Sequence, residues 1–171
     1  MKISVDAIKT LRDKTGAPVG SVRSALEEAK GDEAKAKEIL TRKGFEAAQK
    51  RADRAASAGR IESYIHHDGR MGALVEIACE TDFVGRTPEF QQFCRDVAMQ
   101  VASQNPTYVK KESLSAQQAD QAKQLCLLEQ PFIKNQGQTI GQYLTEMIAK
   151  TGENIIVKRF ARFALGETVS A

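Results

Sequence analysis

Two adjacent histidines, His66 and His67, are the only imidazoles in the chain, and with Cys79, Cys94 and Cys126 they are the side chains best suited to acid–base, nucleophilic or metal chemistry. Neither set has the spacing such chemistry needs. The histidines fall in an expected hairpin, where strand neighbours point to opposite faces, so a surface turn is favoured over a shared ligand. The cysteines are odd in number and form no CxxC or Cys/His pattern, which leaves neither a disulfide framework nor a zinc site and suggests three buried, reduced thiols. Cys79 sits in an apolar strand-like run, where a thiol packs more often than it attacks. No phosphate-binding or dinucleotide glycine loop, HExxH or GxSxG is present. The expectation is a binding protein with no catalytic residue, no metal and no cofactor.

Two short stretches could bind. "TDFV", Thr81 to Val84, places an apolar Phe83 directly after the charged Asp82, where an expected strand turns into an expected helix. Either Thr81 or Asp82 satisfies free N–H groups while Phe83 and Val84 pack beneath the following helix, or the turn meets a partner. "KRFARF", 158 to 163, interleaves bases and aromatics as a single-stranded nucleic-acid platform does. The same pattern suits a sheet strand with Phe160 and Phe163 packed on helices and Lys158, Arg159 and Arg162 in water. An RNA-binding protein using this strand and the basic N-terminal half is the alternative function.

Charge is uneven along the chain. Residues 1–60 carry 14 Lys and Arg against 9 Asp and Glu, a balance of +5, while 61–171 carry 11 against 13, a balance of −2. The basic side suits an acidic protein surface as well as phosphate. With 42% apolar and 27% charged residues and four prolines, the composition is that of an ordinary globular protein. No apolar run approaches the about 18 residues that span a bilayer, and the N-terminus lacks a secretory core, so a cytosolic protein without membrane contact is expected.

The elements that must position these stretches follow from period and punctuation. Ser4 caps a helix with Val5, Ile8 and Leu11 on one face, ended by Gly16. Pro18 opens a second helix with Val22, Ala25, Leu26 and Ala29 inward, ended by Gly31, and Asp32 caps a third that closes at 42–44. This gives a three-helix module over 1–44, a basic helical connector over 45–59, and a core over 60–171. In the core, "RIESYIHHDGRMGALVEIACE" predicts two strands around His67, Asp68 and Gly69, with Asp-Gly supplying the positive φ angles of the turn, and Thr87-Pro88 start a helix with Phe90, Phe93, Cys94, Val97, Ala98, Val101 and Ala102 on one face. A helix over about 117–129, a short edge element around 130–138, a helix capped by Thr139 and a last strand in "GENIIVKRFARFALGE" complete an α+β fold: a three-stranded antiparallel sheet covered by helices.

Several ordered segments together resemble the elongation factor Ts family: "LRDKTGA" (11–17), "SALEEAKGDEAKAKEILTRKG" (24–44), "ETDFVGRTPEF" (80–90), "EQPFIKNQGQTIGQYL" (129–144) and "GENIIVKRFARFALGE" (152–167). The resemblance implies that the N-terminal three helices are UBA-like. It implies exchange of GDP on elongation factor Tu, with Asp82 and Phe83, between Thr81 and Val84, intruding beside that protein's Mg²⁺ and phosphate site. It further implies that Arg12, Val19 and Gly20 dock the N-terminal module. Here "PVGSV" (18–22) stands where the family has glycine and two large apolar residues, so Val19 keeps a smaller apolar contact and Gly20 none. Longer relatives carry two core subdomains, whereas this chain has room for one. A homodimer engaging two partner molecules is therefore expected, through the open sheet face or the last strand, with no direct nucleic-acid contact.

Overall fold

Ser4 accepts from the Ala7 N–H at 3.1 Å, and helix α1 (Val5–Thr15) follows until Gly16 turns to φ 65°. Pro18 precedes α2 (Val19–Glu28), and Gly31, at φ 88°, closes it by donating to Leu26 O. Asp32 then caps α3 (Glu33–Gln49) by accepting from the Lys35 N–H at 3.1 Å. Leu11, Val22, Ala25, Leu26, Ala29 and Ala36 form a buried core, with Ile8 packed against it. Val5, expected on the same face, is exposed because it stands in the first turn, outside the packed stripe.

The computed structural model describes residues 3–167, and these fall into two compact units. One holds the chain up to Arg54 and takes back Thr145–Glu153; the other holds Ala55–Leu144 and the chain from Asn154 onward. The third helix does not stop at 42–44, nor is there a separate connector helix over 45–59. Gly44 keeps a helical φ inside α3, and a methyl group placed there would lie 3.7 Å from Ala149 Cβ and Thr145 Cγ2. The glycine therefore serves packing rather than termination, and turns after Gln49 lead to the first strand.

In the second unit, β1 (Ala58–Ile65), β2 (Met71–Cys79) and β5 (Ile156–Ala164) form one antiparallel sheet in the order β1-β2-β5. The β1–β2 connection spans five residues, His66 to Arg70, around the expected turn. Only Gly69 takes a positive φ, while Asp68 accepts from the Arg70 N–H at 3.0 Å through its side chain. Between β2 and β5 stands a one-turn helix, α4 (Asp82–Gly85), and then α5 (Pro88–Gln104), whose buried stripe of Phe90, Phe93, Cys94, Val97, Ala98, Val101 and Ala102 covers the inner sheet face at Ala73, Val75 and Ile77.

The continuous helix expected over 117–129 is broken. Short 3₁₀ turns flank a four-residue α6 (Ala122–Leu125), because Leu127 and Leu128 donate to Tyr108 O and Val109 O instead of continuing a helical ladder. A two-stranded ribbon follows, β3 (Pro131–Phe132) with β4 (Asn135–Thr139). Buried Asp96 ties it to α5 by accepting from Lys134 Nζ at 2.7 Å, Gln92 Nε2 at 2.9 Å and Tyr143 Oη at 3.2 Å, so its carboxylate is well partnered. The last helix, α7 (Ile140–Thr151), begins in a capping box in which Thr139 Oγ1 accepts from Gln142 N and Gln142 Oε1 accepts from Thr139 N.

Strand β5 differs from its expected facing. Ile77 pairs with Val157 but Glu76 pairs with Arg159, so Lys158 forms a bulge. Beyond it Phe160 opposes buried Val75, and Arg162 points inward, its Nε donating to Ala102 O at 2.9 Å. Phe163 stands three positions after Phe160, hence on the other face, and is 59% exposed. Among the described residues no helix is long and apolar enough to cross a membrane.

Candidate protein-binding site

The sheet delivers the chain to α4 through one local and one long-range bond. Strand β2 ends at Cys79, whose Sγ donates to Thr81 O at 3.2 Å, and the next residue, Glu80, accepts from the Asn154 N–H at 2.6 Å. Thr81 is extended, and its Oγ1 accepts from the Val84 N–H at 3.4 Å, capping the turn Asp82–Gly85. Gly85 packs α4 against β1: a Cβ there would sit 3.6 Å from both Gly59 O and Cys79 Sγ. On the far side Thr87 N and Thr87 Oγ1 both donate to Val84 O, at 3.0 and 2.8 Å, and Gln91 Nε2 donates to Arg86 O.

The consequence is a divided TDFV. Val84 is buried at 6% exposure, while Phe83 is 82% exposed on a turn held at both ends. Packing of both side chains beneath α5, the local alternative, is thus excluded for Phe83. Thr81 and Asp82 are also exposed, and Asp82, Phe83, Arg86 and Thr87 line a shallow hollow of about 470 Å³. A phenyl group left in water forgoes about 2 to 3 kcal/mol of burial energy, which a complementary pocket can recover. An adjacent carboxylate adds an acceptor and a negative charge at the same point.

Arg12, Val19 and Gly20 lie in the N-terminal unit, flanking the Gly16–Pro18 turn. Arg12 is exposed in the last turn of α1; Val19 is 51% exposed, and Gly20 faces open space at the start of α2. The remaining candidates are arranged as follows. His66 and His67 lie beyond the end of β1, so strand alternation does not separate them; their ring centroids are 4.3 Å apart, and Tyr64 Oη is 3.0 Å from His66 Nδ1. No group of three metal-ligating side chains occurs among the described residues. All three cysteines are buried and outside any disulfide, and burial pushes the Cys94 thiol up to about 12. In "KRFARF", Arg159 pairs with Glu76 and Arg162 with Glu167, each at 2.6 Å, so two of its three cations are engaged by carboxylates. Sequence reasoning missed the Glu80–Asn154 bond, which joins residues 74 apart and leaves no local signature.

A family model described as "Elongation factor TS" matches residues 21–125, a stretch that contains α4 together with Gly59, Cys79 and Thr87. The chain is 47% identical to elongation factor Ts of Carboxydothermus hydrogenoformans, covering 96% of this chain and 90% of that protein. It is 44% identical to elongation factor Ts of Alkaliphilus metalliredigens, over 99% and 92%, and 41% identical to that of Caldanaerobacter subterraneus, over 98% of each. The chain belongs to the elongation factor Ts family. It is thereby placed among translation elongation factors. Thr81, Asp82, Phe83 and Val84 lie inside the matched segment, and Arg12, Val19 and Gly20 precede it.

Proposed function

We propose that this chain is the guanine nucleotide exchange factor for elongation factor Tu, acting in the cytosol by binding rather than by bond chemistry. The observation that carries this is the 82% exposed Phe83 on a clamped turn whose next residue is buried. In the GDP complex of the partner, Phe83 enters a pocket beside the Mg²⁺ and phosphate site. Asp82 follows it and disturbs the backbone and water that hold the metal. Since Mg²⁺ bridges phosphate and protein oxygens, its displacement weakens GDP without any covalent step. GTP can then bind.

The energetics close on one side chain. Burying Phe83 supplies about 2 to 3 kcal/mol, available only in the distorted partner, so it shifts the partner toward weak GDP binding. Reciprocity requires that nucleotide weaken the factor equally, and abundant GTP therefore expels it. Arg12, Val19 and Gly20 supply a second anchor from the N-terminal unit. The outward face of the sheet, with Ile61, Ile65, Leu74 and Phe163 exposed, supports pairing of two chains and a complex of two factors with two partners.

The deciding experiment is release of a fluorescent GDP from purified elongation factor Tu at fixed Mg²⁺. The wild type is expected to accelerate release strongly, and Phe83→Ala to remain folded while losing about 30- to 150-fold of that acceleration, the rate equivalent of the burial energy. A folded Phe83→Ala variant as fast as wild type removes the wedge.

A further inference from the structure

Thr87 bonds to both helices it separates. Its Oγ1 accepts from the Phe90 N–H at 3.3 Å, which caps α5, and donates to Val84 O at 2.8 Å, which closes α4. One hydroxyl can do both because it has a proton and two lone pairs. Capping alone needs only the acceptor, and Asp or Asn supplies it as well. The donated bond therefore has another effect: together with the Thr87 N–H, which reaches the same oxygen at 3.0 Å, it ties the carbonyl of buried Val84 to the first turn of α5, the most deeply buried helix of the unit. Phe83 precedes that fixed carbonyl by one residue. From the opposite side α4 rests on Gly59 and Cys79 through Gly85, and Thr87 itself forms a wall of the hollow beside Phe83.

We infer that Thr87 is a positioning residue that sets the direction in which Phe83 leaves the surface, so that the wedge meets its pocket without first being ordered. This rests on the exchange reading given above. Preorganisation places the ordering cost of α4 in folding rather than in binding.

Two measurements on the full chain test it. In the free protein, ¹⁵N relaxation of the amides of Asp82 to Gly85 reports their rigidity. Thr87→Val, which keeps the shape and removes both hydroxyl bonds while leaving the Thr87 N–H on Val84 O, is expected to lower their order parameters from about 0.85 toward 0.6, while Thr87→Ser keeps them high. In the GDP-release assay, Thr87→Val should slow release about tenfold and Thr87→Ser less than twofold. The same Thr87→Val change made on a Phe83→Ala background should slow release much less, because most of its effect passes through Phe83. Unchanged amide rigidity in a folded Thr87→Val variant overturns the inference, as does equal slowing on both backgrounds. A wild type that does not accelerate release while Thr87→Val still loosens these amides overturns the exchange reading instead.

Discussion

Cys94 lies on the buried stripe of α5 with no exposed surface, and burial holds its thiol near 12 against an ordinary value of 9.0. At pH 8 only about one such thiol in ten thousand is ionised, so iodoacetamide is expected to leave native Cys94 unmodified and to label it on unfolding. Labelling of the native chain at the rate of the unfolded one would contradict the burial. The stability effect has a definite sign. Because the folded value is raised, folding is unaffected by this group below about pH 9 and weakens as pH climbs from there toward 12, where the unfolded chain ionises and the native one does not. At the same scale, the sequence left open whether Phe83 packs or projects. Adjacent residues on a helical turn point about 100° apart, so only the seating of α4 decides which of Phe83 and Val84 goes inward.

That seating depends on β1. Gly59 takes φ 132°, and a Cβ there would lie 2.2 Å from Ile77 O and 2.7 Å from Ala78 Cα, both backbone atoms of β2. Gly59→Ala is expected to destabilise the protein by about 2 to 4 kcal/mol, the combined cost of a strained φ and a forced backbone shift. A lowered urea midpoint with unchanged slope would report it, and an unmoved midpoint would show that the strand accommodates a side chain. Elements set by neighbouring residues were legible in the sequence: the caps at Ser4, Asp32, Thr87 and Thr139, and the apolar stripe of α5. Those decided by distant partners were not. Gly44 reads as a stop until Thr145 and Ala149 pack near it, the 117–129 helix is broken by bonds to Tyr108 and Val109, and the bulge at Lys158 turns Phe163 outward.

For the whole molecule, the same bulge brings Phe163 to the outward sheet face on which Ile61, Ile65 and Leu74 are also exposed, an apolar area that single chains seldom present to water. If two chains pair there, Leu74→Glu and Phe163→Glu should each yield monomers by sedimentation equilibrium with the fold retained, while Val19→Glu, in the other unit, should leave the mass unchanged. A wild type that sediments as a monomer at all concentrations would rule the pairing out. The α+β class and the three-stranded antiparallel sheet were legible because a hairpin and one late strand suffice to specify them; a unit built from two separate stretches of chain was not, since period and punctuation carry no record of it. That discontinuity sets an order of events during synthesis. The first 54 residues emerge before Thr145–Glu153, the segment that completes their unit, has been made. At about 5 to 20 residues per second the interval is roughly 5 to 20 s, during which α3 lacks the neighbours of Gly44. The N-terminal unit is thus begun before residues 55–144 of the other unit are made and completed only after them.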